Sequence, residues 1–416
     1  MRERVVIVGS SVAGIRTGQA LRAGGFDGDI VVIGAEDADP YDKPPLSKEF
    51  LTGQKSATQF ALLDGDGWDG SGLEPVLGHP ATALDCAAKH VTLDSGRRID
   101  YDRLVIATGA RARCLTDTAG NPVGHTIRDL SDSQALKSAL QGGGHVVIIG
   151  GGFIGCEVAS TARHLGCAAT IVDVAAVPLA DAVGTTAGRL LGALHTDGGT
   201  TVLADARVDS VQPDGDGGAR VALHDGRVLE ADILVAGIGV MPNTEWLADS
   251  GVVLDNGVRT DEFCRVLGAN DVYAVGDVAN WHDVSIQSPR RVGHWTNAVD
   301  QANNVAHNII HPDQPREYHA APYFWSDQYG SKIQMVGHAA PTDAVEIREF
   351  EVSGRRCWAA VFSRQSRITA AITLGWPRAM AALRRLWLQH ADARDALTEL
   401  QALAERSAQP KVAAPR

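Results

Sequence analysis

Long apolar runs are missing from this 416-residue sequence, and basic charge is scarce. No stretch approaches the roughly 18–20 apolar residues that a membrane helix needs, so no membrane span is expected. The apolar residues 5–9 are not surrounded by the basic n-region and cleavage site of a signal peptide, so no signal peptide is expected and a cytoplasmic protein is favoured. Lys and Arg number 38 against 50 Asp and Glu, a net charge of −12. So acidic a chain is a poor nucleic-acid binder, because phosphate binding needs a basic surface.

Cysteine motifs are missing as well. The sequence has no CxxC and no metal-ligand spacing among its six scattered cysteines, which are Cys86, Cys114, Cys156, Cys167, Cys264 and Cys357. Scattered cysteines in a chain without a secretion signal predict reduced thiols in the core, and no metal site is expected.

Glycine, by contrast, is plentiful at 45 residues, and the chain length suggests two or three domains. Two segments each begin with an apolar strand, a glycine-rich turn and an amphipathic helix; we call residues 9–14 the first turn and residues 150–155 the second turn. A further apolar strand follows each helix and leads to an acid, Glu36 in the first segment and Asp173 in the second. This pattern predicts two βαβ units in an α/β protein.

A second internal repeat supports the duplication. Residues 91–109 align without gaps on residues 221–239, and each copy predicts two strands joined by a tight turn, then a buried strand ending at glycine. Two domains built alike, each opening with a dinucleotide-type turn, imply two dinucleotides.

The two turns differ in how well they match G-x-G-x-x-G, whose glycines allow a tight turn, close approach of a pyrophosphate and close helix packing. The second turn matches fully, whereas Ser11 replaces the middle glycine of the first. A glycine-rich loop without a ligand is the alternative, and it is stronger for the first copy. The candidate phosphate-binding residues are Gly9, Ser11, Val12, Ala13, Gly14, Gly150, Gly152, Phe153, Ile154 and Gly155.

The two strand-end acids lie near the spacing at which a carboxylate accepts ribose hydroxyls. At Asp173 such a carboxylate would repel a 2′-phosphate, and residues 174–177 offer no arginine to bind one, so NADH is predicted over NADPH. A solvated acid in a loop is the alternative.

Beyond residue 240 the pattern changes. Residues 271–277 predict a buried strand ending in Gly-Asp, and residues 296–311 predict a helix with Thr296 as its cap. Strands are predicted at 333–336 and 357–362, and helix from Pro377 onward.

Several motifs together resemble the FAD-dependent NADH:ferredoxin reductases of the putidaredoxin and rubredoxin reductase types, which serve cytochrome P450 and aromatic-ring oxygenase systems. The motifs are Glu36 followed by PYDKPPLSK at 40–48, ATG at 107–109, GIGVMPN at 237–243, Gly276-Asp277, HWTNA at 294–298 and YFWSDQYG at 323–330. The likeness covers nearly the whole chain.

This resemblance implies two Rossmann-like dinucleotide-binding domains, as in glutathione reductase, and a smaller α+β C-terminal domain. The implied boundaries are 1–112 and 244–317 for an FAD-binding domain, 113–243 for an NAD-binding domain, 318–404 for the C-terminal domain and 405–416 for a flexible tail.

The resemblance also implies roles for individual residues. Glu157 matches an acid facing the nicotinamide end of the site, Trp295 begins a helix whose amides point at the flavin, and Trp325 matches an aromatic close to the flavin; for either tryptophan a core role is the alternative. Lys43, Lys48 and Arg128 match residues that contact FAD, and Asp277 matches the aspartate that holds its ribityl chain. The further candidate cofactor-binding residues are Glu36, Ala107, Thr108, Gly109, Asp173, Gly239 and Gly276.

The redox cysteines of the disulfide reductases are absent, because the corresponding stretch reads Pro-Pro-Leu-Ser-Lys. The flavin itself would then pass single electrons from NADH to a [2Fe-2S] or other small iron–sulfur ferredoxin. Two alternatives stay open: a flavoenzyme reducing a small acceptor such as a quinone or dioxygen, and a flavin-binding interaction protein with vestigial turnover. The compact segment 318–400 argues against the second.

One region is basic within this acidic chain. Residues 344–390 carry eight arginines and three glutamates, a net charge of +5. Such a surface would steer an acidic ferredoxin to the C-terminal domain, although an ordinary solvated face fits the same composition. Either a monomer or a homodimer is compatible with the sequence.

Overall fold

A computed structural model describes residues 2–215, 217–320, 322–352 and 354–408. The chain divides into two compact units: the first unit comprises residues 1–45, 55–112 and 240–320, and the second unit comprises residues 46–54, 113–239 and 321–416. Among the described residues, no helix is long and apolar enough to cross a membrane.

The first unit is built on a five-stranded parallel sheet whose strand order is Val272–Ala274, Arg103–Ile106, Arg4–Val8, Asp29–Ile33 and Glu74–Val76. Its smaller sheets consist of Ala81–Asp85, His90–Leu93 and Arg98–Asp100; of Ala110–Ala112 with Val240–Pro242; and of Val258–Thr260, Ala279–Asp283 and Ser288–Arg290. Its helices are Val12–Ala23, Gly67–Ser71 and Trp295–Ile310, with 3-10 turns at Ala57–Phe60, Glu245–Leu247 and Gly276–Val278.

The central strands of this sheet are buried on both faces, which is why they read as continuous apolar runs in the sequence. Helices Val12–Ala23 and Trp295–Ile310 pack against each other, and the core between them and the sheet includes the fully buried Trp281. Helix Trp295–Ile310 has His294 as its N-cap, so the prediction of Thr296 as the cap is wrong by two residues.

The second unit contains a four-stranded parallel sheet with the order Thr201–Leu203, Ala168–Val172, His145–Ile149 and Ile233–Ala236. Two antiparallel sheets accompany it, Val208–Pro213 with Ala219–Leu223 and Val228–Ala231, and Leu115–Thr116 with Pro122–Val123. Its helices are Leu130–Leu140, Phe153–His164 and Ala180–Asp197, the last with a non-helical kink at Gly184.

The C-terminal part of the second unit is an antiparallel sheet followed by two helices. The strands, in spatial order, are Tyr323–Gln328, Ser331–Gly337, Arg367–Leu374, Arg355–Arg364 and Ala344–Val352, and the helices are Pro377–Leu388 and Ala393–Ala408. Helix Ala393–Ala408 extends four residues into the segment 405–416, which was predicted to be a flexible tail. Residues 409–416 lie outside the described part of the chain.

Both βαβ units and both copies of the strand–turn–strand repeat are present where the sequence predicted them. The units depart from the predicted bounds in three segments. Residues 46–54, predicted in the first domain, group with the second unit, and residues 240–243 and 318–320, predicted in the other two domains, group with the first unit. The Leu46 carbonyl accepts from Ser133 Oγ at 2.6 Å and the Ser47 carbonyl from Thr161 Oγ1 at 2.8 Å. The division into three domains stays a prediction.

All six cysteines are free. Four are buried as predicted, but Cys86 is half-buried and Cys114 is exposed, so the prediction of a core position is wrong for these two.

Candidate functional site

The second turn joins strand His145–Ile149 to helix Phe153–His164. Gly150 has φ +105°, in the left-handed region, and a Cβ on Gly155 would lie 2.0 Å from the Gly150 carbonyl oxygen. Only glycine therefore lets the helix approach the strand this closely. A Cβ on Gly152 would meet nothing nearer than the Gly237 carbonyl oxygen at 3.9 Å, so the middle of the turn is open.

The first turn repeats this geometry between strand Arg4–Val8 and helix Val12–Ala23. Gly9 has φ +125°, and a Cβ on Gly14 would lie 1.8 Å from the Gly9 carbonyl oxygen. Ser11, which replaces the middle glycine, is the N-cap residue of the helix.

The two helix N-termini that follow these turns are suited to an anion. In the described chain, the side chain of the N-cap residue Ser11 accepts no hydrogen bond from its helix, and the other N-cap residue, Gly152, has no side chain that could. The first turn of neither helix contains an acid. The leading N–H groups and the positive end of the helix dipole thus remain available to a diphosphate. The residues of both turns fit a dinucleotide, with the open space over Gly152 as its cradle.

Each strand-end acid is fixed by hydrogen bonds. Asp173 Oδ2 accepts from the Gly151 N–H at 2.6 Å and its Oδ1 from the Ala175 N–H at 2.9 Å, so this carboxylate lies against the second turn and is not simply a solvated loop acid.

Glu36 lies in a small cluster with two neighbours from the PYDK motif. It accepts from Tyr41 Oη at 2.5 Å and from Lys43 Nζ at 3.4 Å. Lys43, predicted to contact FAD, lies 4.9 Å above the Tyr41 ring.

The predicted ATG segment is tied to the segment that follows strand Val240–Pro242. Thr108 Oγ1 donates to the Asn243 carbonyl at 2.8 Å, Asn243 Nδ2 donates to the Thr108 carbonyl at 2.9 Å, and the Asn243 N–H donates to Gly109 O at 3.0 Å. The Ala107 carbonyl oxygen lies so close to Gly9 that a Cβ on Gly9 would be only 2.1 Å from it. The first turn and the ATG segment are therefore in direct contact.

The Gly-Asp motif also reaches the first turn. A Cβ on Gly276 would lie 2.9 Å from the Ala13 Cβ, and the Gly276 N–H donates to Gln301 Oε1 at 2.8 Å. Asp277 is half-buried, and its carbonyl accepts from Arg291 Nη1 at 3.3 Å. Gln301, which sequence reasoning missed, holds this strand end in place from the long helix.

Trp295 is the first residue of helix Trp295–Ile310, as predicted. Its indole Nε1 donates to Asp42 Oδ1 at 2.6 Å. Burial raises the pKa of Asp42, and the indole hydrogen bond opposes that rise. Asp42 was not singled out from the sequence, although it lies within the quoted PYDKPPLSK motif.

Glu157 lies on helix Phe153–His164 and is only 3% exposed. Lys48 Nζ at 2.8 Å and Ser47 Oγ at 2.5 Å both donate to its Oε2, and Ser326 Oγ donates to its Oε1 at 2.6 Å. One cation and two hydroxyls thus fix both oxygens of a buried carboxylate. Sequence reasoning missed both serines as partners, since no local pattern joins positions so far apart in the chain.

The remaining predicted residues lie in the second unit. Trp325, on strand Tyr323–Gln328, has its ring 6.3 Å from that of Tyr323, and Phe153 packs on Phe324 with ring centroids 4.4 Å apart. Arg128 precedes helix Leu130–Leu140, and its N–H donates to Asp132 Oδ2 at 2.9 Å.

Two further predicted residues are exposed or in open space. Ile154 is 41% exposed, and Gly239 has φ +92°, with no described atom within 4 Å of the place that a Cβ would take.

The predicted residues thus form two groups. The first unit gathers Gly9, Ser11, Val12, Ala13, Gly14, Glu36, Lys43, Ala107, Thr108, Gly109, Gly276, Asp277 and Trp295, and the second unit gathers Lys48, Arg128, Gly150, Gly152, Phe153, Ile154, Gly155, Glu157, Asp173, Gly239 and Trp325. Lys48 and Arg128, expected to contact FAD, are therefore in the unit that carries the predicted NADH turn.

Comparison with known families gives two matches. Residues 3–302 match the family described as pyridine nucleotide-disulphide oxidoreductase, and residues 323–404 match the family described as reductase C-terminal.

Individual proteins match along nearly the full chain. Rhodocoxin reductase of Rhodococcus erythropolis is 35% identical over 84% of this chain and 82% of its own length. The ferredoxin–NAD(+) reductase component of the anthranilate 1,2-dioxygenase system of Burkholderia cepacia is 35% identical over 92% of this chain and 93% of its own length. The putidaredoxin reductase chain of a covalent complex with putidaredoxin superimposes with a TM-score of 0.87 at 30% identity, covering 97% of this chain and 99% of that chain.

Proposed function

This chain belongs to the pyridine nucleotide-disulphide oxidoreductase family, and we propose that it is an FAD-dependent reductase that takes a hydride from NADH and passes single electrons to an iron–sulfur ferredoxin. The ferredoxin would supply a cytochrome P450 or a ring-hydroxylating oxygenase. The similar proteins, which are reductases of a dioxygenase system and of small redox proteins, support this choice.

Family membership confirms the coarser predictions. The chain is an oxidoreductase with the predicted α/β fold and C-terminal domain, and it uses FAD and NAD(H). The six free cysteines support the further proposal of a reducing, cytoplasmic location.

The observation that carries the proposal is the pair of uncapped glycine turns in one chain. Each provides a helix N-terminus for one diphosphate, and the resemblance assigns FAD to the first turn and NADH to the second. Asp173, held against the second turn, supports NADH over NADPH because its charge would repel a 2′-phosphate.

When bound, FAD accepts two electrons with a hydride and releases them one at a time. In the proposed mechanism the chain supplies positioning and charge. Lys48 and Glu157 form a buried ion pair in the unit that would hold NADH, so the helix that follows the second turn carries a fixed carboxylate. Trp295, anchored by Asp42, keeps an aromatic ring at the start of a helix whose positive end would stabilise an anionic reduced cofactor.

The lack of a thiol supports direct transfer to an outside acceptor. Ser47 lies in the stretch where disulfide reductases are expected to carry redox cysteines, and its hydroxyl donates to Glu157. No cysteine occurs anywhere in residues 40–54, so no dithiol relay is available there.

For the ferredoxin-docking surface we propose the exposed face of helix Pro377–Leu388. Three other arginines of the basic segment are engaged by acids, in the ion pairs Arg348–Glu346, Arg356–Glu349 and Arg364–Asp343. Arg378 and Arg385 are exposed two turns apart on this helix, and neither forms an ion pair with a described residue, so both charges can steer an acidic partner.

The test of the function uses the FAD-loaded protein under anaerobic conditions. NADH should bleach the flavin far faster than NADPH, and turnover with a small [2Fe-2S] ferredoxin should exceed turnover with a quinone or with dioxygen at equal NADH. Greater turnover with the quinone or dioxygen would favour the small-acceptor alternative, and a flavin that NADH does not bleach would favour an interaction protein.

The docking surface is tested separately by the double variant Arg378→Glu/Arg385→Glu. Ferredoxin reduction should slow and lose most of its salt dependence, while flavin bleaching by NADH stays unchanged. Arg348→Glu, at an arginine already paired with an acid, is the matched control. Equal effects of the two variants would refute the choice of helix.

A further inference from the structure

A line of buried polar side chains begins at Glu157 and continues within the second unit. Ser326 Oγ lies 2.6 Å from Glu157 Oε1, and Gln328 Nε2 lies 3.0 Å from Ser326 Oγ. Ser326 and Gln328 alternate on strand Tyr323–Gln328 and so point to the same face. All three residues are at most 3% exposed, so water does not compete for these hydrogen bonds.

A second set of polar groups continues from the end of this line. His195, fully buried in the last turn of helix Ala180–Asp197, has its Nδ1 3.0 Å from Tyr329 Oη, which lies 2.8 Å from Thr200 Oγ1. Within the described residues, Gln328 Oε1 and His195 Nε2 are both buried without a hydrogen-bond partner, and the Gln328 side chain partly offsets the lowering of the His195 pKa by burial, so the two side chains lie near each other. The first set of polar groups therefore ends at an unpaired acceptor, Gln328 Oε1, and the second set ends at an unpaired ring nitrogen, His195 Nε2.

The protonation states allow one direction of donation along the whole line. Burial lowers the pKa of His195 to about 4, so near pH 7 its neutral ring has one donor nitrogen and one acceptor nitrogen. Burial raises the pKa of Tyr329 to about 12, so its hydroxyl keeps its proton. At the other end, Glu157 is paired with Lys48 and, as a carboxylate, can only accept.

We propose that Ser326, Gln328, His195 and Tyr329 form a one-way chain of hydrogen-bond donors that positions the Glu157 carboxylate. Tyr329 donates to His195 Nδ1, Gln328 donates to Ser326 and Ser326 donates to Glu157, as the three short distances allow. The remaining link, from His195 Nε2–H to Gln328 Oε1, joins the two atoms that the structure leaves without a partner, and it is the step that the proposal adds. Successive donation in one direction polarises each bond and strengthens the last one. The assigned effect on hydride transfer rests on the proposed function; the direction of the chain does not.

Ser326 is the link on which this positioning depends. Ser47 and Lys48 both donate to Oε2, whereas among the described residues Ser326 is the donor to Oε1. Without it, a buried carboxylate oxygen has no partner, and the carboxylate is free to rotate about its remaining contacts. Ser326, Gln328 and His195 are therefore positioning residues, which act through Glu157.

The first experiment reads the chain directly, without turnover. Nitrogen NMR of the FAD-loaded protein labelled with ¹⁵N-histidine, with His195 assigned by comparison with His195→Gln, should find His195 neutral with the proton on Nε2. A proton on Nδ1, or a charged ring at pH 7, would reverse or break the chain and overturn the proposal. Neither result depends on which acceptor the enzyme reduces.

The second experiment measures the effect on the reaction by stopped-flow reduction of the bound flavin. Ser326→Ala should lower the limiting rate about ten-fold while leaving the NADH dissociation constant nearly unchanged, because a positioning hydrogen bond to a charge is lost. Ser326→Thr, which keeps a hydroxyl, should recover most of the rate.

The matched control is Thr373→Val. Thr373 is fully buried in the same sheet, and within the described chain its hydroxyl makes no hydrogen bond, so its removal should leave the rate unchanged. Equal slowing by both variants would reduce Ser326 to a packing role and overturn the proposal. Should Ser326→Ala fail to bind FAD, Gln328→Met cuts the chain one link further on and should also slow flavin reduction. A wild-type flavin that NADH does not reduce would refute the proposed function instead.

Discussion

Substitution of Gly155 by alanine separates the packing role of the second turn from its binding role. The added Cβ would lie 2.0 Å from the Gly150 carbonyl oxygen, where ordinary van der Waals contact begins near 3.4 Å, so about 1.4 Å of backbone displacement is required. The carbonyl oxygen belongs to backbone at the strand end, and the Cβ is attached directly to the backbone of the helix, so neither atom can rotate away. We expect a loss of about 1–3 kcal/mol in the free energy of unfolding.

Gly152→Ala is the matched comparison on the same turn. Its Cβ would have nothing nearer than 3.9 Å, so the folded chain without NADH has room for it. The same space is where a diphosphate would approach the backbone, and NADH should therefore bind more weakly.

The assay combines thermal unfolding of the FAD-loaded protein with an NADH titration. Gly155→Ala should lower the Tm by several degrees with or without NADH, whereas Gly152→Ala should leave the Tm nearly unchanged without NADH and remove the stabilisation that NADH adds. A Gly155→Ala protein as stable as the wild type would refute the steric reasoning. Unchanged NADH affinity in Gly152→Ala would refute the assignment of the open space.

Three more outcomes are expected. Asp173→Ala should narrow the preference for NADH over NADPH, measured as the ratio of kcat/KM values, since it removes the carboxylate held 2.6 Å from the Gly151 N–H; an unchanged ratio would contradict the role. Burial lowers the pKa of His195 from 6.5 to about 4, so the unfolded chain binds more protons than the folded chain between those pH values. The free energy of unfolding should therefore fall as the pH drops from about 6.5 to 4, and urea melts of His195→Gln should show a smaller fall over the same range. Trp295→Phe removes the indole donor from the half-buried Asp42 and should cost about 1–3 kcal/mol in denaturant unfolding, and Asp42→Asn in the same chain should recover part of that loss.

The sequence was most informative where function depends on local backbone. A glycine turn between an apolar strand and a helix is a contiguous pattern, and the close approach of Gly155 to the Gly150 carbonyl lies within it, so spacing along the chain is enough to detect it. The repeat at 91–109 and 221–239 was equally readable, since each copy pairs with itself as a hairpin. The ends of helices were harder to predict from the sequence. The N-cap of helix Trp295–Ile310 is His294 and not Thr296, so residue type alone does not identify the capping residue.

The pair of dinucleotide turns, the acids that follow them and the absence of a redox cysteine in residues 40–54 can all be read from the amino-acid sequence. These features lie within short segments, where spacing along the chain fixes spacing in the molecule. The surroundings of Glu157 come from the tertiary fold, because its partners Ser47, Lys48 and Ser326 lie more than 100 residues away along the chain. A buried carboxylate must find its donors wherever the fold brings them, and that choice leaves no periodicity or spacing in the sequence.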